Sequence, residues 1–240
     1  MDETLFQLWV YLSASPLLWL TATLVCYLIA QRIYGLAGGY ALFNPVALAV
    51  GLLIVLLVAT DTPYKVYFDG AQFVHFLLGP ATVSLAIPLY RERARLRDLW
   101  LPICVALFAG VLTASGSAVG LGLLLGAERS TLLSLAPKSV TAPVAMGIAE
   151  KLGGYPSLTA VLVVATGTLG AITGVAVFRL LRIRDDVVCG IAMGVTSHGI
   201  GTARAFQISP VMGAFSGLAM ALSAFATSLL LPPLVDWLGL

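Results

Sequence analysis

Two short polar clusters interrupt an otherwise apolar chain. The first, A-P-K-S-V-T-A-P-V-A-M-G-I-A-E at 136–150, sets Lys138 between Pro137 and the hydroxyls of Ser139 and Thr141; Pro143 follows and Glu150 closes the run. A lysine at the bilayer centre costs about 2.5–3.5 kcal/mol on insertion scales, so such a residue faces a protein interior or a water-filled cavity. Prolines remove backbone donors and interrupt helix, which lipid tolerates only where protein or water satisfies the freed groups. The chemistry this suits is holding an anion, with an ammonium, hydroxyls and the first N–H groups of a helix as donors. A solvated loop joining two spans is the other reading of Lys138, and the residues alone leave both open.

The second cluster is T-S-H-G-I-G-T-A-R at 196–204, where Gly199 and Gly201 loosen any helix. On a helix Ser197, Gly201 and Arg204 share one face, and His198 and Thr202 the next. Arg204 offers a planar fork for a carboxylate, or else snorkels from a span end to the interface. His198 is a candidate proton carrier, its ordinary pKa lying near neutrality, with Glu150 as a second; the alternative for His198 is a neutral ring bonded within the bundle. Earlier in the chain, 70–90 holds Gln72, His75, Thr82 and Ser84, and Gly79-Pro80 there is placed to open a half-helix. Gln72 and His75 lie one turn apart and can both face the bundle interior; the alternative for them is interhelical hydrogen bonding as structural glue. The expected anion site therefore comprises Lys138, Ser139, Thr141, Thr82, Ser84, Ser197, Thr202 and Arg204. Lys138 is favoured as the balancing charge, because two prolines fix its surroundings. The expected helix breaks are Gly79, Pro80, Pro137, Pro143, Gly199 and Gly201.

Other chemistries find no support. Cys26, Cys104 and Cys189 lie in apolar runs without metal-ligand spacing, and there is no P-loop, G-x-S-x-G, H-E-x-x-H or paired catalytic carboxylate. Asp61 and Asp69 flank a short loop. The expectation is a non-enzyme without metal or cofactor. A net charge of +2 without a basic stripe excludes nucleic acid as a partner.

The elements that must position these clusters are membrane helices. Of 240 residues 60% are hydrophobic and 10% charged, against about 25% charged in soluble domains, and the mean hydropathy is +1.01. The acidic start Met1-Asp2-Glu3 does not look like a secretory leader. Seven windows lack Asp, Glu, Lys and Arg: 4–31, 33–60, 70–90, 99–127, 152–178, 187–203 and 205–235. A crossing needs about 20 mostly apolar residues, so these predict seven spans, the first from Pro16 after an interfacial piece at 5–15. Residues 129–151 are either an eighth span or a broken, re-entrant element. Gly116/Gly120, Gly170/Gly174 and Gly213/Gly217 have small-xxx-small spacing and predict helix contacts. Arg91, Arg93, Arg95 and Arg97 crowd one loop, and Arg179, Arg182 and Arg184 another. Both read as cytoplasmic, which requires an even number of crossings between them and favours 129–151 not crossing.

A faint repeat accompanies this pattern. I-A-Q-R-I at 29–33 resembles I-A-E-K-L at 148–152, each followed by glycines and a span-opening proline (Pro45, Pro156), and G-P-A-T at 79–82 resembles G-I-G-T at 199–202. Arginines follow the break in one half and precede it in the other, the mark of an inverted repeat. The expectation is an all-α, multi-pass, single membrane domain of seven to eight helices. Its repeats are 16–127 and 128–240, with interrupted helices near the midplane.

The motifs P-K-S-V-T-A-P-V-A (137–145), S-H-G-I-G-T-A-R-A (197–205), H-F-L-L-G-P-A-T-V-S-L-A-I-P-L-Y (75–90) and G-A-F-S-G-L-A-M (213–220) resemble the LrgB/CidB family across nearly the whole chain. That resemblance implies one of two activities in the cytoplasmic (inner) membrane. One is holin-like or antiholin-like control of murein hydrolase export and lysis beside a small LrgA/CidA-type membrane subunit. The other is carriage of small monocarboxylates of the pyruvate, glycolate, glycerate or lactate class. Hole-forming proteins need little more than apolar spans, whereas this chain places Lys138, His198 and Arg204 among broken helices. The expectation is thus an ion- or proton-coupled carrier of a small organic anion, with lysis control as the alternative. Partners expected are the anion, membrane lipid and the LrgA/CidA-type subunit, and the reading admits a homo-oligomer. A purely structural subunit would make the polar clusters dispensable.

Overall fold

In the computed structural model every described element is a helix. The structure describes residues 16–39, 43–84 and 86–239, with the backbone alone at 16, 75, 78, 79, 81, 82 and 86. The interfacial piece expected at 5–15 lies outside them, as do the side chains of His75 and Thr82. Packing divides the chain into two compact units, Met1–Ser84 and Leu85–Leu240.

The first unit holds α1 (Pro16–Leu36), α2 (Pro45–Ala59) and α3 (Tyr64–Ser84), with α1 packed on both of the others. Trp19 is its buried anchor. The indole stands edge-on to Tyr67 at 5.9 Å and fills the space over Gly70, where a Cβ would come within 2.7 Å of the ring. Asn44 caps α2 by accepting from the N–H groups of Val46 and Ala47, and Pro45 takes the N-terminal position where its missing donor costs nothing. The break expected at Gly79-Pro80 does not occur: α3 runs through Pro80 to Ser84. One proline forfeits a single backbone bond, whereas a break would open two new helix ends with up to eight unsatisfied groups.

The second unit contains α4 (Ala86–Arg91), α5 (Arg93–Asp98), α6 (Trp100–Leu124), α7 (Arg129–Leu135), α8 (Ala142–Leu152), α9 (Pro156–Leu180), α10 (Asp186–Ile208) and α11 (Pro210–Leu238). With α1, the helices α6, α9 and α11 are four that are long and apolar enough to cross a membrane. Large apolar side chains such as Leu124, Leu125 and Leu180 are over four-fifths exposed, a surface that water disfavours and acyl chains suit. Two clusters fix the direction of the long helices. Ile103 and Leu107 of early α6 pack with Val187 and Ile191 of α10 and Phe215 of early α11. Val119 of late α6 packs with Leu133, Ile148 and the late α11 residues Leu231 and Val235. Helices α6 and α11 therefore run parallel, and the clusters mark opposite ends of the unit.

Residues 187–203, expected to cross, instead belong to a hairpin. The backbone breaks at His198 (φ 40°, ψ −130°) inside α10. The returning arm brings Ser209 back to the start, where its hydroxyl donates to Asp186 Oδ2 at 2.6 Å. Arms of 11–12 residues reach only about 16–18 Å, short of a hydrocarbon core of about 30 Å. Cys189 and Met193 of the first arm pack on Ala205 of the second and on Met212. The first arm lies so close to α11 that a Cβ at Gly190 or Gly194 would overlap the carbonyl of Met212 or Ser216. Gly174 likewise admits Met193, whereas Gly116 and Gly120 have no atom within 4 Å of where a Cβ would stand. The small-residue pair on α6, expected as a contact, faces open space.

Candidate functional site: two opposed hairpin tips

Residues 129–152 form the other hairpin. Helix α7 has 7 residues and α8 has 11, about 10 and 16 Å, so neither crosses. Their entry and exit meet: Tyr155 Oη donates to Glu128 Oε1 at 3.2 Å, and Tyr155 N–H to Ser134 Oγ at 2.7 Å. Thr159 adds a hydroxyl bond to the Ser134 carbonyl at 3.1 Å. The return is tight because Gly153 closes α8 with φ 88°, and a Cβ on Gly154 would stand 2.9 Å from the Ser134 nitrogen. This hairpin enters from the end marked by late α6, and α10 from the end marked by early α6. Arg95 pairs with Asp185 at 3.6 Å, so the two arginine-rich loops sit at one end. Between those loops α6 and α9 are the two described helices long and apolar enough to cross, an even number as charge placement expects.

The tip of the α7–α8 hairpin is the run 136–141. Ala136, Pro137, Ser139 and Val140 are buried, and Lys138 is half-buried with its Nζ donating to Ser139 Oγ at 3.4 Å. Thr141 is the N-cap of α8 but makes no side-chain cap bond, so the first N–H groups of that helix have no hydroxyl cap. At the α10 tip His198 is 5% exposed and its Nε2–H donates to the Val163 carbonyl at 3.0 Å. Thr202 donates to the His198 carbonyl at 2.8 Å and lies 2.9 Å from Ser216 Oγ. Ser197 is fully buried against Gly170, and the His198 ring lies over Gly167. Val163 joins the tips, since it packs on Val140 as well as accepting from His198.

Against the first tip lies a cavity of about 10 Å³ walled by Val111, Ala114 and Ser115 of α6, Ala136, Pro137, Ser139 and Val140 of that tip, Val195 of α10, and Ser223 and Thr227 of α11. Val111–Ser115 and Ser223–Thr227 lie halfway along their helices, so the cavity is at mid-height of the unit.

The structure thus gathers Pro137, Lys138, Ser139 and Thr141 at one tip, and Ser197, His198, Gly199, Gly201 and Thr202 at the other. The second break falls on His198 rather than on either glycine; Gly201 instead gives room to Ser197 and the Met193 carbonyl across the turn. Arg204 stands apart, its Nη1 donating to Gln207 Oε1 at 3.0 Å. Glu150 and Pro143 are exposed on α8. Ser84 is exposed at the end of α3 in the other unit, and the Thr82 side chain is outside the described residues. Sequence reasoning passed over Ser115, Ser216, Ser223 and Thr227, all buried. The last three recur at intervals of seven and four, one face of α11, a signal that single hydroxyls in apolar windows conceal.

Among the described residues no group of three or more His, Cys, Asp or Glu side chains is placed to hold a metal. A family model described as the LrgB-like family matches residues 23–237. YwbG of Bacillus subtilis is 34% identical over 90% of this chain and 96% of its own. The holin-like protein CidB of Staphylococcus epidermidis is 29% identical over 94% and 97%. The antiholin-like protein LrgB of Bacillus mycoides is 25% identical over 94% and 98%. No solved structure matches. The helices suited to lipid and the whole-length matches agree, and this chain is a membrane protein that belongs to the LrgB-like family.

Proposed function

We propose that this protein controls passage across the cytoplasmic membrane in the holin-like or antiholin-like manner for which its relatives are named. The observation that supports this most directly is the match to CidB over 94% of this chain and 97% of the relative. In this reading it modulates murein hydrolase export and lysis, acts with an LrgA/CidA-type subunit, and is not an enzyme. The test is co-expression with such a subunit in a bacterial host while extracellular murein hydrolase activity is measured. Activity that responds to the subunit alone, and never to this chain, would sink the reading.

A second reading is favoured by the opposed hairpins. Hairpins that enter from opposite ends and meet at mid-height, with half-helix starts and hydroxyls at their tips, are how carriers present a midplane site. The chain then carries a small organic anion of the monocarboxylate class, ion- or proton-coupled, as a single multi-pass domain. Seven to eight membrane helices in two inverted repeats, 16–127 and 128–240, remain the proposed arrangement, with both hairpins in the second repeat rather than one in each half, and a homo-oligomer is compatible with it. Proteoliposomes holding only this protein should take up labelled pyruvate, glycolate or lactate, and none of the three entering would defeat this reading. If His198 carries the coupled proton, His198→Gln should flatten the pH dependence of uptake; an unchanged profile makes the ring structural.

A further inference from the structure

We propose that the mid-height cavity is an anion seat, and that Ser115 and Thr227 are ligands of one oxygen of a small carboxylate there. The proposal rests on the carrier reading and extends it to residues outside both polar clusters.

The cavity of about 10 Å³ has room for one water-sized group. Ser115 is 5% and Thr227 2% exposed, and neither hydroxyl has a hydrogen-bond partner among the described residues. A hydroxyl on a buried residue with no protein partner leaves its donor to whatever occupies the space it meets, so two of them on one small cavity point to a guest. The other two hydroxyls of the wall are already engaged. Ser139 accepts from Lys138 at 3.4 Å, and Ser223 donates to the Met220 carbonyl at 3.0 Å.

The sign of the guest follows from what surrounds it. No Asp or Glu lines the cavity, and the Lys138 ammonium adjoins it through Ser139. The first turn of α8, which lacks a side-chain cap, contributes Ala142 and Val144 to the same cluster as Ala224, the neighbour of Ser223. The positive end of that helix therefore faces this region. A cation would meet like charge, whereas a carboxylate oxygen would meet hydroxyl donors that protein leaves unused. Only one oxygen fits, so the rest of the ligand extends past the tips, and the seat recognises the carboxylate rather than the body of the acid.

The test is calorimetric titration of the full chain in detergent with sodium acetate, choline acetate and sodium methanesulfonate. Acetate should bind equally with either cation. Thr227→Val, which keeps the volume and removes the hydroxyl, and Ser115→Ala should each weaken it about tenfold or more. Thr227→Ser should stay within about threefold of the parent, and elution profiles establish that each variant is folded. Should Thr227→Val fail to fold, Ser115→Ala decides. If acetate binds the parent and the variants alike, the seat is wrong and the carrier reading survives. Heat that follows sodium instead overturns the anion assignment, and a parent that binds no acetate overturns both.

Discussion

Ser197 and His198 occupy space that α9 leaves open only because positions 170 and 167 are glycine. His198 holds φ near 40°, a region that L-residues populate at a cost of about 1–3 kcal/mol. Its ring bond to Val163 and the Thr202 bond to its carbonyl (2.8 Å) hold it there. A Cβ at Gly170 would overlap the Ser197 hydroxyl, and overpacking costs about 1–3 kcal/mol. Gly170→Ala should therefore lower the melting temperature in detergent by several degrees, while Gly116→Ala, with no atom within 4 Å, should leave it unchanged. Equal effects would mean that the α10 tip does not seat against α9. Lys138 yields the second prediction at this scale. Loss of a charge-assisted bond costs about 1.5–3 kcal/mol, or roughly 10- to 150-fold, so on the proposed carrier reading Lys138→Met should abolish high-affinity uptake in a folded protein and Lys138→Arg should retain part of it. Unchanged affinity in Lys138→Met would place the anion elsewhere. The sequence made Lys138, Ser139 and the 197–202 cluster legible because polar groups stand out in apolar windows. It did not reveal that the break falls on a histidine, since glycine is the residue whose conformational freedom announces a turn, and tertiary packing and hydrogen bonds hold His198 in one.

The two hairpins differ in how openly the chain writes them. Two prolines and a lysine mark 129–152 as interrupted, and the argument from charge parity already favoured its return. The α10 hairpin is concealed, because its two short arms lie end to end in sequence and look like one continuous span with a soft centre. What separates the readings is a tertiary contact, the Ser209 hydroxyl on Asp186 at 2.6 Å, which no periodicity can show. Ser209 also caps α11 by accepting from the Met212 N–H at 3.5 Å. Ser209→Ala removes both bonds and should cost about 1–2 kcal/mol, seen as a lower melting temperature. Ser117→Ala, which loses only an exposed bond to the Ala114 carbonyl at 3.3 Å, is the matched control and should be silent. Pro80 teaches the converse: proline marks a possible interruption, but surrounding helix absorbed the single lost bond in α3.

At the scale of the Leu85–Leu240 unit, three long helices frame the hairpins, and the frame fixes which ends share a side. Helices α6 and α11 run one way and α9 the other, so the Arg93–Asp98 helix, the start of α10 and Ser209 belong to one end. Glu128 and Gly153–Tyr155 belong to the opposite end. Arg95 bonded to Asp185 at 3.6 Å makes the first grouping a contact rather than an inference from charge. By the positive-inside rule the arginine end is expected to face the cytoplasm. This gives a prediction independent of any transport activity. In a background with Cys26, Cys104 and Cys189 replaced, single cysteines at Arg97 and Arg184 should resist a membrane-impermeant maleimide in intact cells and react once the membrane is opened. Cysteines at Glu128 and Lys151, at the other end and exposed, should react from outside without permeabilisation. A cysteine at Pro137, fully buried at the tip, should react from neither side until the protein is unfolded. Labelling of positions 128 and 184 from the same side would mean that α9 does not cross, and the opposed entry of the two hairpins would fall with it.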